Sequence, residues 1–475
     1  MIFFIRCLTI WSIAVFALPT AAASFSDPLS TTDLTVSSEK KAMLFLNSNR
    51  DPCVEKPIMS PLALFDAVEA ALCHNTSTKQ TWANVQYEAA QLGIKEAVYF
   101  PTVNATYTLS KDTVDTQVQG IPQASSIAPM TTRNGSIELS WLLFDFGTRR
   151  GDVEKHLQLL SAANALQDAS LQTVFLTAAQ DYYELLTAQG GLDASQQSEM
   201  SARENFLAAE AKYKAGAGPF ADKLLAQTTL AQASLERVKA EGGVRAARGK
   251  LAIAMGQKVD TNFTLQSVSS VLPDTAFVQS VDKLISYASS NHPKMIAARA
   301  QLYAAQADLR VNEAEAYPSI SLVGSLGHND ELGQVPANTY IHDRKIGIQI
   351  TFPLFDGFNR SYLIQTSRAK LAQQEAALED AEQQVSLDVW TNYQSLITET
   401  ENLKATSDLL ESSTQSDHVV QGRYKAGVGN ILELLKGQND LASARQQRIQ
   451  ALSNWLTARL KLAGSLGTLG IWAIK

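Results

Sequence analysis

The chain has 475 residues, 45% of them hydrophobic and 18% charged, with a formal net charge of −7. This composition supports a packed core and excludes disorder as the main state. The acidic balance excludes a nucleic-acid partner as the main function. His74, His156, His292, His328, His342 and His418 are scattered, and no cluster with Cys or carboxylates has metal-ligand spacing, so neither a metal nor a cofactor is expected.

Residues 1–23 read as a secretory signal. Arg6 forms the positive region, Leu8–Leu18 the apolar core, and Ala21-Ala22-Ala23 the small-residue cleavage site. The competing reading, a transmembrane anchor, suits the short apolar core less well. Export makes Cys53 and Cys73, in the N-terminal extension 24–57 and just beyond it, candidates for a disulfide in an oxidising compartment; two buried free thiols are the alternative. No later stretch reaches the roughly 18 apolar residues of a membrane helix.

The rest of the chain is written twice. Repeat 1 spans 58–257, a linker 258–272, repeat 2 273–467, and a tail 468–475. Tyr213-Lys214-Ala215-Gly216-Ala217-Gly218 returns as Tyr424-Lys425-Ala426-Gly427-Val428-Gly429, and the same register carries Tyr182 onto Tyr393 and Phe144-Asp145 onto Phe355-Asp356. In repeat 1 a helix is expected over about 61–100, ended by Pro101. A strand follows in which Val103, Ala105, Tyr107 and Leu109 alternate with polar residues, then a loop over 111–134. A second strand alternates Ile137, Leu139, Trp141 and Leu143 with Ser136, Glu138 and Ser140. Leu171, Val174, Ala178, Tyr182 and Leu185 step by three and four along a helix expected from Thr148 to Lys214, broken only at Gly190-Gly191. A glycine turn at 215–219 sends the chain back in a second long helix. Repeat 2 has Ile320 and Leu322, then a loop over 327–342, then Ile346, Ile348, Ile350 and Phe352. A helix with the heptad Ile364, Leu371, Leu378 and Val385 leads to the turn 426–430.

Four two-faced strands of about ten residues are long enough to cross a bilayer. They are too few to close a barrel, since an open edge in lipid strands its backbone groups. If they enter a membrane, several chains share one barrel; a soluble sandwich covered by its own helices is the alternative. Phe100, Phe144, Tyr317 and Phe355 sit where helices meet strands and are placed to form an interfacial girdle.

The duplication, the Phe-Pro or Tyr-Pro before each odd strand, Leu143-Phe144-Asp145-Phe146-Gly147 and Leu354-Phe355-Asp356-Gly357 after each even one, and the Tyr-Lys-Ala-Gly turns resemble the TolC family of outer-membrane efflux and secretion channels. The resemblance covers about 58–467. It implies a mainly α fold with a membrane β-barrel portion: long coiled α-hairpins, four strands per protomer, and a homotrimer with a twelve-stranded barrel. It further implies no enzymatic chemistry, and an exit duct extending into the periplasm that works with a periplasmic adaptor and an inner-membrane transporter. By the same resemblance Asp222, Tyr424 and Glu433 belong to a gate at the periplasmic tip. Gly216, Gly218, Gly427 and Gly429 lie in turns that meet the adaptor. Two departures stand out: Lys436 where a second acid is usual, one helical turn from Glu433 and able to pair with it, and Gly429 where the best-known member has a basic tether. The alternative for the gate residues is that they are solvated charges near helix ends. The alternative for the whole chain is a periplasmic structural or adaptor coiled-coil protein, which leaves the four aromatic-flanked strands unexplained.

Gly216-Ala-Gly218 follows a helix instead of a strand, so it is not a dinucleotide fingerprint. No acid, base and nucleophile converge in the pattern.

Overall fold

The computed structural model describes residues 27–37, 40–41, 53, 60–116, 126–266, 280–332 and 339–469. The signal segment 1–23, most of the extension and most of the tail lie outside them. Two helices open each half: α1 (Leu64–His74) and α2 (Thr76–Ala97). Strands β1 (Thr102–Thr116) and β2 (Ser126–Phe144) follow, then the long α3 (Thr148–Lys214) and α4 (Phe220–Ala254). The second half repeats the order as α5 (Val281–Asn291), α6 (Pro293–Ala314), β3 (Ser319–Leu332), β4 (Thr339–Thr351), α7 (Asn359–Lys425) and α8 (Ile431–Ser465). The halves match in length: α3 and α7 each have 67 residues, α4 and α8 each 35. At 1.5 Å per residue the longer pair spans about 100 Å.

The single helix expected over 61–100 is two helices. Asn75 adopts extended backbone between α1 and α2, and its Oδ1 accepts from the Ser77 amide at 2.8 Å while its Nδ2 donates to the Ala254 carbonyl at 3.0 Å. A side chain that caps the next helix competes with continuation of the previous one. In the second half His292 does the same work: its Nδ1 accepts from the Lys294 amide at 3.2 Å, and its ring hydrogen-bonds the backbone of Gly464.

The strands are longer than expected, and the loops placed at 111–134 and 327–342 are mostly strand. β1 and β2 stay in register from Thr102↔Ser140 to Thr116↔Ser126, and β3 and β4 from Ser319↔Thr351 to Glu331↔Thr339. Asn, Asp and Gly suggest turns locally, but each further antiparallel pair satisfies backbone groups that a loop leaves to water. All four strands form one antiparallel sheet in the order β1-β2-β3-β4, so β1 and β4 are its edges. The register aligns the alternations across the sheet. Val103, Leu139, Gly324 and Ile346 form one row, and Ala105, Ile137, Leu326 and Arg344 the next. The opposite face carries rows such as Asn104, Glu138, Ser325 and Lys345.

The main core lies at the waist, where α1, α3, α4 and α8 converge. Leu171, Val174, Ala178, Tyr182 and Leu185 are all buried there, with Val68, Leu72, Leu251, Met255 and Trp455. The start of the first half is tied to the linker by a short parallel bridge, Leu62↔Leu265, onto which Tyr182 Oη donates to the Leu62 carbonyl at 3.2 Å. Gly190 and Gly191 do not interrupt α3. An added Cβ would stand 3.1 Å from Ile449 Cδ1 and 3.1 Å from Gln446 Oε1, so the glycines let α8 approach. The heptad on α7 points inward, with Leu378 and Val385 packed against Leu284, Ala288 and Met295. Cys53 and Cys73 are joined by a disulfide, fastening the extension to α1. Further out, Lys41 pairs with Asp168 at 2.8 Å and Thr31 packs beneath Gly93, so these described residues of the extension lie against α2 and α3. Among the described residues no helix is long and apolar enough to cross a membrane.

Burial holds the His292 imidazole below its ordinary value. A histidine kept neutral in the fold but free to charge when unfolded makes the unfolded chain bind more protons at low pH, so stability falls as pH drops through the usual histidine range. His292→Asn, which copies Asn75, is expected to flatten the part of that fall between about pH 7 and 5. Thermal melts of both proteins across that range check it, and parallel pH profiles would refute it.

Candidate functional site

Two regions gather the residues singled out in the sequence: the turns between the long helices, and the junctions of strands and helices.

At the turns, each long helix ends in the same hydrogen-bonded motif. Ala217 N donates to Lys212 O at 2.9 Å and Gly216 N to Tyr213 O at 3.0 Å; Val428 N donates to Arg423 O at 3.0 Å and Gly427 N to Tyr424 O at 3.2 Å. Gly216 and Gly427 have φ of +71° and +75°, the left-handed conformation this ending requires. Gly218 and Gly429 are there for space: an added Cβ would lie 3.1 Å from the Cβ of Lys212 and of Arg423 respectively. The two tips pack together through Ala209, Ala226 and Ile431, with Phe206, Tyr424 and Leu435 around them.

The charges at the tip are arranged differently in the two repeats. Lys212 and Arg423 occupy equivalent positions, as do Asp222 and Glu433. In the second turn Arg423 reaches across to Glu433, Nη1 to Oε2 3.4 Å, while Asn430 Oδ1 accepts from the Glu433 amide at 2.8 Å, an N-cap with its acid in the first turn. In the first turn Lys212 Nζ instead lies 4.1 Å from the centre of the Tyr424 ring on the other hairpin. Asp222 is left with no ion-pair partner among the described residues. The pairing of Lys436 with Glu433 allowed by their spacing does not form. Lys436 reaches Asp440 at 2.8 Å, four residues on, and Arg423 already holds the Glu433 carboxylate. Nearby, Lys223 and Lys214 both bind Glu210, at 3.1 and 3.3 Å, and hold its carboxyl below the usual range. Lys212 and Arg423 were not singled out in the sequence, although both fall in the last helical turn beside the repeated Tyr-Lys-Ala-Gly.

Behind the tip, α3, α4 and α8 enclose a groove of about 1400 Å³ lined by polar side chains such as Gln197, Gln232, Lys239, Gln438 and Arg445. Arg445 Nη1 donates to Gln197 Oε1 across it at 2.9 Å.

At the other end, the repeated Phe-Asp has a structural cause. Asp145 Oδ2 accepts from the Arg149 amide and from its Nε, both at 2.9 Å, and Arg149 Nη1 donates to the Leu142 carbonyl at 2.7 Å. The carboxylate thus caps α3 while the guanidinium collects the last carbonyls of β2 and lies 4.6 Å over the Tyr99 ring. Asp356 and Arg360 repeat the arrangement, with Asp356 Oδ2 accepting from the Arg360 amide at 3.0 Å. Each junction also needs two successive left-handed residues. They are Phe146-Gly147 in the first half and Gly357-Phe358 in the second, the glycine and phenylalanine exchanged. Phe146 joins two of the expected girdle residues, with its ring 4.8 Å from Phe144 and 5.3 Å from Tyr317. Phe355 contacts Phe358 at 5.3 Å, and Phe100 is exposed outside these pairs. Phe146 and Phe358 are not among the girdle residues expected from the sequence, because the motif reads as a turn, in which a phenylalanine at positive φ is unusual. Among the described residues no group of three or more His, Cys, Asp or Glu side chains is placed to hold a metal.

The sequence model of the outer membrane efflux protein family matches residues 67–257 and 284–468. The chain belongs to that family. It is 29% identical over 429 residues to Protein CyaE of Bordetella pertussis, with 88% of each chain covered, and 24% identical to the outer membrane efflux protein BepC of Brucella suis, with 85% of each covered. Among solved structures, the CmeC outer membrane channel of Campylobacter jejuni superposes with a TM-score of 0.76 over 86% of each chain at 16% identity, which shows the shared fold. Channels of this family are trimers that reside in the outer membrane, extend into the periplasm, and work with periplasmic adaptors and inner-membrane transporters.

Asp145→Ala removes the cap of α3 and the anchor of Arg149 together. It is expected to cost about 1–2 kcal/mol and to lower the yield of assembled protein in the outer membrane. Unchanged thermal stability and membrane yield would count against this role.

Proposed function

We propose that three copies of this chain form the exit duct of a tripartite efflux pump or a type I secretion system, a passive conduit gated at its periplasmic tip and performing no reaction of its own. The observation that carries this reading is the open sheet. One of its faces is apolar, with Ile346, Ile348 and Ile350 more than two-thirds exposed, and both of its edges lack strand partners among the described residues. Three such sheets give twelve strands and leave no edge in lipid. The helices support the same assembly. α3 buries eighteen residues, whereas α7, equally long, buries only Ser367, Val385, Val389, Leu403 and Ser413 and exposes Leu387, Trp390, Ile397 and Val419. A neighbouring copy covers that face. A periplasmic adaptor or structural coiled coil has no use for the sheet.

In this reading Phe144, Phe146, Tyr317, Phe355 and Phe358 form the aromatic girdle at the periplasmic membrane surface. The turns at Gly216–Gly218 and Gly427–Gly429 present the small surface that an adaptor helix approaches. At the gate, Tyr424 is held by Lys212, and Glu433 is ion-paired with Arg423. Asp222 is therefore the acid free to repel its copies and attract cations when three tips converge. Lys436, occupied by Asp440, lies outside that ring of charge. Cargo is selected by the inner-membrane partner in this reading, and the relatives fit a shared duct: they include solvent and toluene efflux pump outer membrane proteins of Pseudomonas putida.

The test is reconstitution in planar bilayers. Wild-type protein is expected to form cation-selective channels blocked by divalent cations from the periplasmic side. Asp222→Asn is expected to weaken that block by roughly tenfold, more than Glu433→Gln does. A protein that fractionates as a soluble periplasmic monomer, or forms no channels, overturns the duct; equal block in wild type and Asp222→Asn overturns the gate assignment.

A further inference from the structure

Beyond its apolar rows the same face of the sheet carries two arginines, Arg344 on β4 and Arg133 on β2. On β4, Ile350, Ile348 and Ile346 share that face, Phe352 follows immediately after the strand, and the next residue on the face beyond Ile346 is Arg344. From Phe352 to Arg344 is eight residues, about 27 Å along the strand. At a barrel tilt of about 40° this is roughly 20 Å of height, close to the apolar band of outer-membrane barrels. The helices attach at the Phe352 end, so Arg344 lies at the opposite membrane surface.

Above that level the register lays out two more rows on the same face. Tyr107, Gly135, His328 and His342 lie side by side, followed by Leu109, Arg133, Asp330 and Tyr340. Tyr107 and Tyr340, 69% and 59% exposed, mark an interface as the phenylalanines do at the other end. Arg133 and Arg344 are both exposed, and among the described residues neither has an ion-pair partner. Asp330 is the register neighbour of Arg133, but its Oδ1 lies 2.9 Å from His328 Nε2 and it forms no ion pair with Arg133. The arginines of the other junction, Arg149 and Arg360, are by contrast each paired with an aspartate. Two arginine side chains that face lipid and have no ion-pair partner among the described residues of their own chain are suited to take anions from the lipid.

We propose that Arg133 and Arg344, framed by Tyr107 and Tyr340, form a binding surface for the phosphate groups of lipids in the outer leaflet. The surface continues the apolar band directly, so lipids lay their acyl chains against Ile137, Leu326 and Ile346 and present their phosphate groups to Arg344 at the rim of the band and to Arg133 two rows beyond it. Arginine suits this task because its planar fork takes a phosphate oxygen pair while its stem lies along apolar surface. This proposal rests on the barrel reading above.

The experiment uses the full-length protein, purified in mild detergent and equilibrated with lipid A or with lipid A stripped of its phosphates, and reads retained lipid per chain by native mass spectrometry. Three proteins are compared: wild type, the Arg133→Gln/Arg344→Gln double variant, and Lys345→Gln, which removes a neighbouring cation from the opposite face. Wild type and Lys345→Gln are expected to retain the phosphorylated lipid at least about tenfold better than the double variant, and all three to retain the stripped lipid equally poorly. Equal retention of both lipids by wild type, no loss in the double variant, or an equal loss in Lys345→Gln overturns the proposal. Heat-modifiable migration of each protein reports barrel formation separately. If wild type shows no such species the barrel reading falls and the proposal with it, whereas a barrel that forms without phosphate preference sinks the proposal alone.

Discussion

Unpaired backbone along β1 and β4 governs the architecture. Each edge presents N–H and C=O groups that water satisfies outside a membrane and nothing satisfies within one. The same sheet carries an apolar face that water disfavours. In the proposed trimer those two demands are met together, because the edges meet the edges of other copies inside lipid. The junction residues follow from this. The chain passes from strand to helix at one end of the sheet, where Asp145 with Arg149, and Asp356 with Arg360, satisfy carbonyls at or just past the strand ends and the first helix amides within a few residues. The long helices then start from fixed points and reach the tip as paired rods.

The tip shows how duplication permits division of labour. The two turns share a backbone ending, a tyrosine and a basic residue before it, and an acid after it. One cation is spent within its own turn, on Glu433. The other crosses to the neighbouring hairpin and sits on the Tyr424 ring, coupling the two hairpins and leaving Asp222 uncompensated. A single change of target for one lysine thus converts two equivalent turns into one closed on itself and one that carries free charge. Elsewhere the repeats keep the job and change the residue. Asn75 and His292 both cap a helix and tether the waist, but only His292 brings a titratable group into that role.

Much of the fold was legible because periodicity reports burial. Leu171 through Leu185 fall on the waist core, and the four alternations line one face of one sheet. The division of each first helix, the true ends of the strands and the partners of the tip charges were not legible. Strand length depended on the partner strand offering a continued ladder through Asn134, Gly135 and His328, residues whose local preference is for turns. The pairing of Lys436 with Asp440 instead of Glu433 depended on Arg423, which is ten residues from Glu433 in sequence and across a turn in space.

The sequence by itself determined the duplication, the two-faced strands, the long helices and the glycine turns, because those depend on spacing along one chain and on the conformations a residue type permits. Only the tertiary structure decided which strands are edges, which arginines are satisfied and which acid is free. Those are outcomes of competition among groups far apart in the chain, and distance in space, not in sequence, sets the winner.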